Sequence, residues 1–209
     1  MVQILKPEVR AQLMRAAEVV FAERGYRGAT VAMIAHQAGV STGNVYRYFD
    51  NKDALFYAVI SDAFVASFMQ LVRRRVHLLA ASADITRPVG DAAAAESELL
   101  TFWLENRLRV VTLLAGAEGT RHEGFGARFA DELVQLALER LRRETGGRRL
   151  RPVVRSTLQH VFENTVRTLG AILAQDGGDA ATREAFRAFW SYQLAGLAGL
   201  ERWVISDDR

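Results

Sequence analysis

Residues Gly39-Val40-Ser41-Thr42-Gly43 fit the G-x-S-x-G pattern, in which a serine raised on a sharp turn after a strand attacks an acyl carbon. That chemistry needs a strand before Gly39, a base beside the hydroxyl and a group to orient the base. The residues before Gly39 read instead as a short helix: Val31, Ile34, Ala35 and Ala38 recur at i, i+3, i+4 and i+7, and Thr30 stands where a cap belongs. Ser41 then reads as the N-cap of the next helix, its hydroxyl accepting a backbone N–H one turn on. No neighbouring residue supplies the missing base. Other catalytic chemistry also lacks its parts. There is no cysteine, which excludes thiolate nucleophiles, disulfides and the usual structural zinc sites. The four histidines, at 36, 77, 122 and 160, are dispersed and form no H-E-x-x-H pair. Neither a P-loop nor a dinucleotide fingerprint occurs. The expectation is a protein that is not an enzyme and carries no metal or cofactor.

The elements that place these residues read as all-α, with about nine helices in 209 residues of which 50% are apolar. Nothing alternates with period two for long enough to make a strand. The first helix runs from Pro7 to Arg24, with Leu13, Ala16, Ala17, Val20 and Phe21 on its apolar stripe, and Gly25 stops it. The helix opened by Ser41 buries Val45 and Phe49 before Asp50-Asn51 breaks it. A long fourth helix is expected from Lys52 to about Ala80. Loops follow at 82–91 and 145–152, with further helices over 91–116, 129–144, 153–175 and 179–206. Glycines 116, 119, 124 and 126 suggest an irregular hinge. The N-terminus lacks an uninterrupted hydrophobic stretch, and no run approaches about 18 apolar residues, so a cytoplasmic protein with no membrane partner is expected.

Two short helices joined at Gly39, flanked by outer helices, are the arrangement that sets a recognition helix in a DNA major groove. At 100° per residue, the face of the third helix opposite Val45 and Phe49 is centred on Gly43 and Arg47, with Asn44 beside them and Tyr46 and Tyr48 on the flanks. Gly43 has no side chain to hold the duplex off. Thr42 and the backbone N–H groups of the helix start suit a phosphate. Arg47 suits the acceptors of guanine and Asn44 those of adenine. The tyrosine hydroxyls suit phosphates, and Lys52 adds a charge just past the turn. Charge alone does not make this argument, because residues 1–56 hold seven Lys or Arg against five Asp or Glu in a chain whose net charge is +3.

F-A-E-R-G-Y at 21–26, T-V-A-M-I-A at 30–35 and A-G-V-S-T-G-N-V-Y-R-Y-F-D-N-K at 38–52, followed by Leu55, resemble the N-terminal DNA-binding domain of the tetracycline-repressor-like (TetR) regulators. The match runs without a gap from about residue 10 to 56. What it implies is a helix-turn-helix DNA-binding domain over 1–56 and a ligand-binding and dimerisation domain over 57–209. It also implies a homodimer that binds a palindromic double-stranded DNA operator and is released by a small-molecule effector, most often as a repressor. In the family pattern Thr30, Tyr46 and Lys52 match phosphate-contacting positions, while Thr42, Asn44, Arg47 and Tyr48 match positions that read bases or backbone. The second helix departs from the pattern: Ala29 replaces the first Thr of the usual pair, and Ala32 and Met33 stand where polar residues are common. The competing reading is a helical dimeric interaction protein without DNA binding.

The last two helices carry apolar surfaces broader than one buried stripe needs, including Val154, Leu158, Val161, Phe189, Trp190, Leu194 and Leu197. A two-fold four-helix interface would bury the excess. In the middle helices Trp103 and Arg107 lie four apart. With Phe125, Phe129 and Phe162 they make a candidate pocket, mostly apolar with one polar handle, for a largely hydrophobic effector.

Overall fold

The computed structural model describes residues 6–206. Among them are ten α-helices and no strand: α1 (Pro7–Gly28), α2 (Val31–Gln37), α3 (Thr42–Tyr46), α4 (Lys52–Val59), α5 (Asp62–Ala81), α6 (Asp91–Glu105), α7 (Arg107–Val111), α8 (Phe125–Glu144), α9 (Pro152–Ala174) and α10 (Gly178–Ser206). A π-helical turn, Thr112–Gly116, continues α7. The chain packs as two compact units, one of residues 1–66 with 106–125 and the other of residues 67–105 with 126–209.

In the first unit the stripe expected on α1 is buried as Leu13, Ala16, Ala17, Val20 and Phe21. Ile34 and Ala35 of α2, Val45 of α3, and Leu55, Phe56 and Val59 of α4 complete the core. Gly25 interrupts α1 with φ 64° and ψ 170°, a conformation essentially reserved for glycine. The interruption lets two backbones meet. A Cβ built on Gly116 would lie 3.3 Å from both Gly25 Cα and Phe21 O. Glu18 accepts from Arg109 Nε at 2.7 Å, which ties α1 to α7 a second time.

Three expectations change here. The helix read as continuous from Lys52 breaks at Ile60 (φ −106°, ψ 74°), and α5 restarts with the Ser61 hydroxyl accepting from Phe64 N–H at 3.2 Å. No glycine or proline announces the break; Ile60 is fully buried, and its packing overrides the periodicity. For the same reason the stretch Lys52–Ala81, which holds an 18-residue window of mean hydropathy 1.7, is not one helix but two that pack Phe56, Phe64 and Phe68 inward. Second, the helix read over 91–116 breaks at Asn106 (φ −117°, ψ 27°). Third, the glycine segment 116–126 is packed rather than loose: Ala117 and His122 are buried, Gly119 N–H donates to Glu123 at 2.9 Å, and Gly126 lies inside α8.

The second unit is a helical bundle around aromatic side chains. The Trp103 ring lies 6.1 Å from Phe68, 5.4 Å from Phe186 and 6.0 Å from Trp190, centroid to centroid. Such clusters hold their rings at offset or edge-on angles that favour the π quadrupoles. Phe129 meets Phe68 edge-on.

Candidate nucleic-acid interface and ligand cavity

Helices α2, α3 and α4 are each started by a side-chain cap. The Thr30 hydroxyl accepts from Met33 N–H at 3.2 Å, the Ser41 hydroxyl from Asn44 N–H at 3.2 Å, and the Asn51 carboxamide oxygen from Ala54 N–H at 2.8 Å. Ser41 is therefore an N-cap, and what precedes it is helix α2, so the nucleophile elbow is absent. Between α2 and α3 the chain reverses at Gly39, with φ +66°. Gly39 N–H donates to His36 O at 3.0 Å and Val40 N–H to Ala35 O at 3.0 Å, closing the end of α2. A Cβ on Gly39 would meet nothing within 4 Å, so the cost of a side chain is conformational alone. Gly39→Ala is expected to lower unfolding stability by about 1–2 kcal/mol, measured by urea titration; a neutral result would mean the turn can take another conformation.

With Val45 and Phe49 buried, α3 and the turn after it present Thr42, Gly43, Tyr46 and Arg47 to solvent, Tyr46 at 54% exposure. Asn44 and Tyr48 are half-buried, and the Tyr48 hydroxyl accepts from Lys6 N–H at 3.2 Å. Among the described residues neither the Tyr46 nor the Arg47 side chain has a hydrogen-bond partner, so both heads are available. Lys52 is otherwise engaged. Its ammonium donates to Tyr26 O at 2.8 Å and Ala29 O at 3.1 Å, and stands 4.1 Å from the centre of the Tyr26 ring. It holds the C-terminal carbonyls of α1 at the start of α4, a structural task that the sequence reading did not give it. On α2 the outward residues include Ala32, Met33, His36 and Gln37.

Tyr26 itself donates its hydroxyl to Asp53. Burial, then that hydrogen bond and the nearby carboxylate charge, push its pKa up to about 12 from the ordinary 10.0. The folded pKa is the raised one, so this contribution to stability is complete below pH 10 and is lost as pH rises towards 12. Tyr26→Phe is expected to flatten the alkaline unfolding profile over that window, followed by circular dichroism.

In the second unit a cavity of about 130 Å³ is enclosed by α5, α6, α8, α9 and α10. Trp103, Phe129 and Phe162 line it. Arg107 and Phe125 do not, and both belong to the first unit. The break at Asn106 is the reason, because Trp103 and Arg107 are no longer on one helix and the spacing of four loses its meaning. The polar lining comes instead from Arg75, Arg140, Thr165, Gln193 and Glu201. Arg140 donates to both Glu201 oxygens, at 3.2 and 3.1 Å, and to Ala80 O at 2.7 Å. Gln193 donates to the Thr165 hydroxyl at 2.7 Å. Arg75 looks like surface in the run Arg73-Arg74-Arg75. It is buried, bonded to Glu96 at 2.8 Å, with its guanidinium 4.5 Å from the Trp190 ring centre. Its place on the stripe Phe68, Val72, Arg75, Leu79 was the signal available.

The residues expected at a two-fold interface divide. Val154, Leu158, Trp190 and Leu194 are buried inside the chain, three of them lining the cavity, because the broad apolar surface is needed to enclose that cavity. Val161, Phe189 and Leu197 are half-buried. The exposed large apolar side chains of α9 and α10 are Val153, Tyr192, Trp203 and Ile205, Tyr192 at 79%. Among the described residues no three His, Asp or Glu gather into a group able to hold a metal ion.

Residues 13–59 match the sequence pattern of bacterial regulatory proteins, tetR family. An HTH-type transcriptional repressor of Mycobacterium tuberculosis is 31% identical over 169 residues, 79% of this chain and 81% of that protein. The HTH-type transcriptional repressor AcnR of Corynebacterium diphtheriae is 27% identical over 176 residues, 84% of this chain and 85% of that protein. Among solved structures, a TetR-like transcriptional regulator from Rhodococcus sp. RHA1 aligns with a TM-score of 0.55 and 20% identity, over 94% of this chain and 100% of that one, a likeness of fold.

Proposed function

Because the chain belongs to the TetR family of bacterial transcriptional regulators, and is thus a helix-turn-helix DNA-binding protein rather than an enzyme, we propose that it is a cytoplasmic repressor binding a palindromic operator as a homodimer and released by a small, largely hydrophobic effector. The observation that carries the DNA reading is the solvent-facing pair Tyr46 and Arg47, the last residue and the C-cap of α3, whose start is capped by Ser41. Thr42, Gly43 and Asn44 extend that surface, and Thr30 and Ser41 fix the helices that present it. Lys52 reaches a phosphate only with the N–H that its two carbonyl partners leave over. Residues 1–56 are proposed as the reading head and 57–209 as the effector and dimer region. Repression is favoured over activation because two relatives matched over more than 80% of their length are both named repressors.

Effector release follows from linkage. A ligand that binds the DNA-free conformation more tightly than the DNA-bound one lowers operator affinity by the same factor. The cavity of the second unit is the proposed site. The test is selection of the purified protein against random duplex DNA, with binding of the winners followed against salt. A two-fold consensus with half-sites about 34 Å apart, or a multiple of that, and a steep salt slope supports the reading. Failure to enrich any sequence, repeated after refolding to remove carried-over ligand, counts against it.

A further inference from the structure

The cavity of the second unit has two buried donors with no acceptor among the described residues, Arg75 Nε and Trp103 Nε1. Both side chains line it and both lean on the same ring, the Arg75 guanidinium 4.5 Å from the centre of Trp190 and the Trp103 ring 6.0 Å from it. A buried N–H without an acceptor is a standing penalty, so the pair marks where an acceptor belongs. The charges are already balanced. The charged side chains of the lining are Arg75, Arg140 and Glu201; Arg140 is paired with Glu201 and Arg75 with Glu96. An anion finds no unpaired cation there, and a cation no unpaired carboxylate. The neutral polar residues of the wall, Thr165 and Gln193, are bonded to each other, and the rest is aliphatic and aromatic.

We infer that this cavity takes a neutral, largely apolar ligand carrying a carbonyl-type acceptor, which Trp103 Nε1 and Arg75 Nε read by hydrogen bonding. Naming that ligand as the effector rests on the function proposed above, and there it narrows the effector class to neutral acceptors, excluding organic acids and amines. Size sets the scale of the first probes, because a cavity of about 150 Å³ admits benzene.

Four compounds of one-ring size separate the possibilities: acetophenone, ethylbenzene, benzoate and benzylamine, titrated calorimetrically into the full chain. Acetophenone is expected to bind about tenfold more tightly than each of the others. Trp103→Phe, which keeps an aromatic ring and removes the donor, is expected to bring acetophenone most of the way to the ethylbenzene level while leaving ethylbenzene within about twofold. Arg75→Lys, which keeps the charge beside Glu96 and removes Nε, is expected to act in the same direction. Equal affinity for acetophenone and ethylbenzene, tighter binding of benzoate or benzylamine, or no binding by any of the four overturns the inference. The wild-type series decides this even if a variant does not fold. The same compounds, added to protein bound to its selected DNA, keep the two readings apart. Acetophenone preference without release leaves this inference standing and removes the effector role; release by some other compound with no acetophenone preference does the reverse.

Discussion

Arg47→Ala is expected to weaken operator binding at particular base pairs, by about 1–3 kcal/mol for each half-site. A symmetric dimer carries the change twice, so the loss on a palindrome is about thirtyfold or more. The reason is positional. Arg47 closes the C-terminal end of α3, is exposed, and has no partner among the described residues, so its bidentate donor set is uncommitted. The loss should shrink when the contacted pair is changed, because an arginine deprived of its guanine acceptors has little left to lose. Tyr46→Phe makes the contrast. It is expected to weaken every sequence about equally and leave the salt slope alone, since a neutral hydroxyl releases no counterion. Fluorescence anisotropy on the selected duplex and its single-pair variants measures both, and an Arg47→Ala protein with unchanged affinity would sink the proposed reading surface.

Phe56→Ala is expected to remove about 3–5 kcal/mol from a total that is typically about 5–15 kcal/mol. Phe56 is fully buried at the meeting point of α1, α4 and the segment after the π turn. Its ring packs edge-on against Phe21 at 5.2 Å, Tyr26 at 5.1 Å and Tyr57 at 5.4 Å, with His122 at 6.5 Å. Truncation leaves a void walled by rings that cannot collapse into it. For a chain of this size the melting temperature should fall by about 6–20 °C. Tyr57→Ala, at a half-buried neighbour, should cost clearly less, and equal losses at the two positions would show that burial is not what sets the cost. Thermal unfolding followed at 222 nm compares them.

The reading head was legible in the sequence because local chemistry settles it. A cap residue, an apolar residue at i+3 or i+4, and a glycine forced to positive φ are short-range facts, and Thr30, Ser41 and Gly39 all appear in the structure where their neighbours require them. The ligand region was less legible, for the opposite reason. Ile60 and Asn106 break helices with no glycine or proline to announce it, under packing from residues far away in sequence. One such break detached Arg107 from Trp103 and so misplaced the polar handle of the cavity. Arg75 went unseen because a run of three arginines looks uniformly solvated, whereas one member of it falls on the buried stripe. Val154, Leu158, Trp190 and Leu194 were visible as apolar, but amphipathic breadth does not distinguish a surface kept for a partner from one folded around a cavity.

The contact between Gly25 and Gly116 has a consequence for how the protein is made. The first unit is interrupted in sequence, its last segment, 106–125, arriving some forty residues after the first part ends at 66. A ribosome adding about 5–20 residues per second therefore finishes the recognition helix several seconds before it delivers the turn that α1 packs against. During that interval Phe21 lacks its neighbour Gly116 and Phe56 lacks His122. Gene fragments that stop soon after residue 66 freeze the chain in that half-covered state. A chain that stops there is expected to be cut by proteases more readily than the full chain.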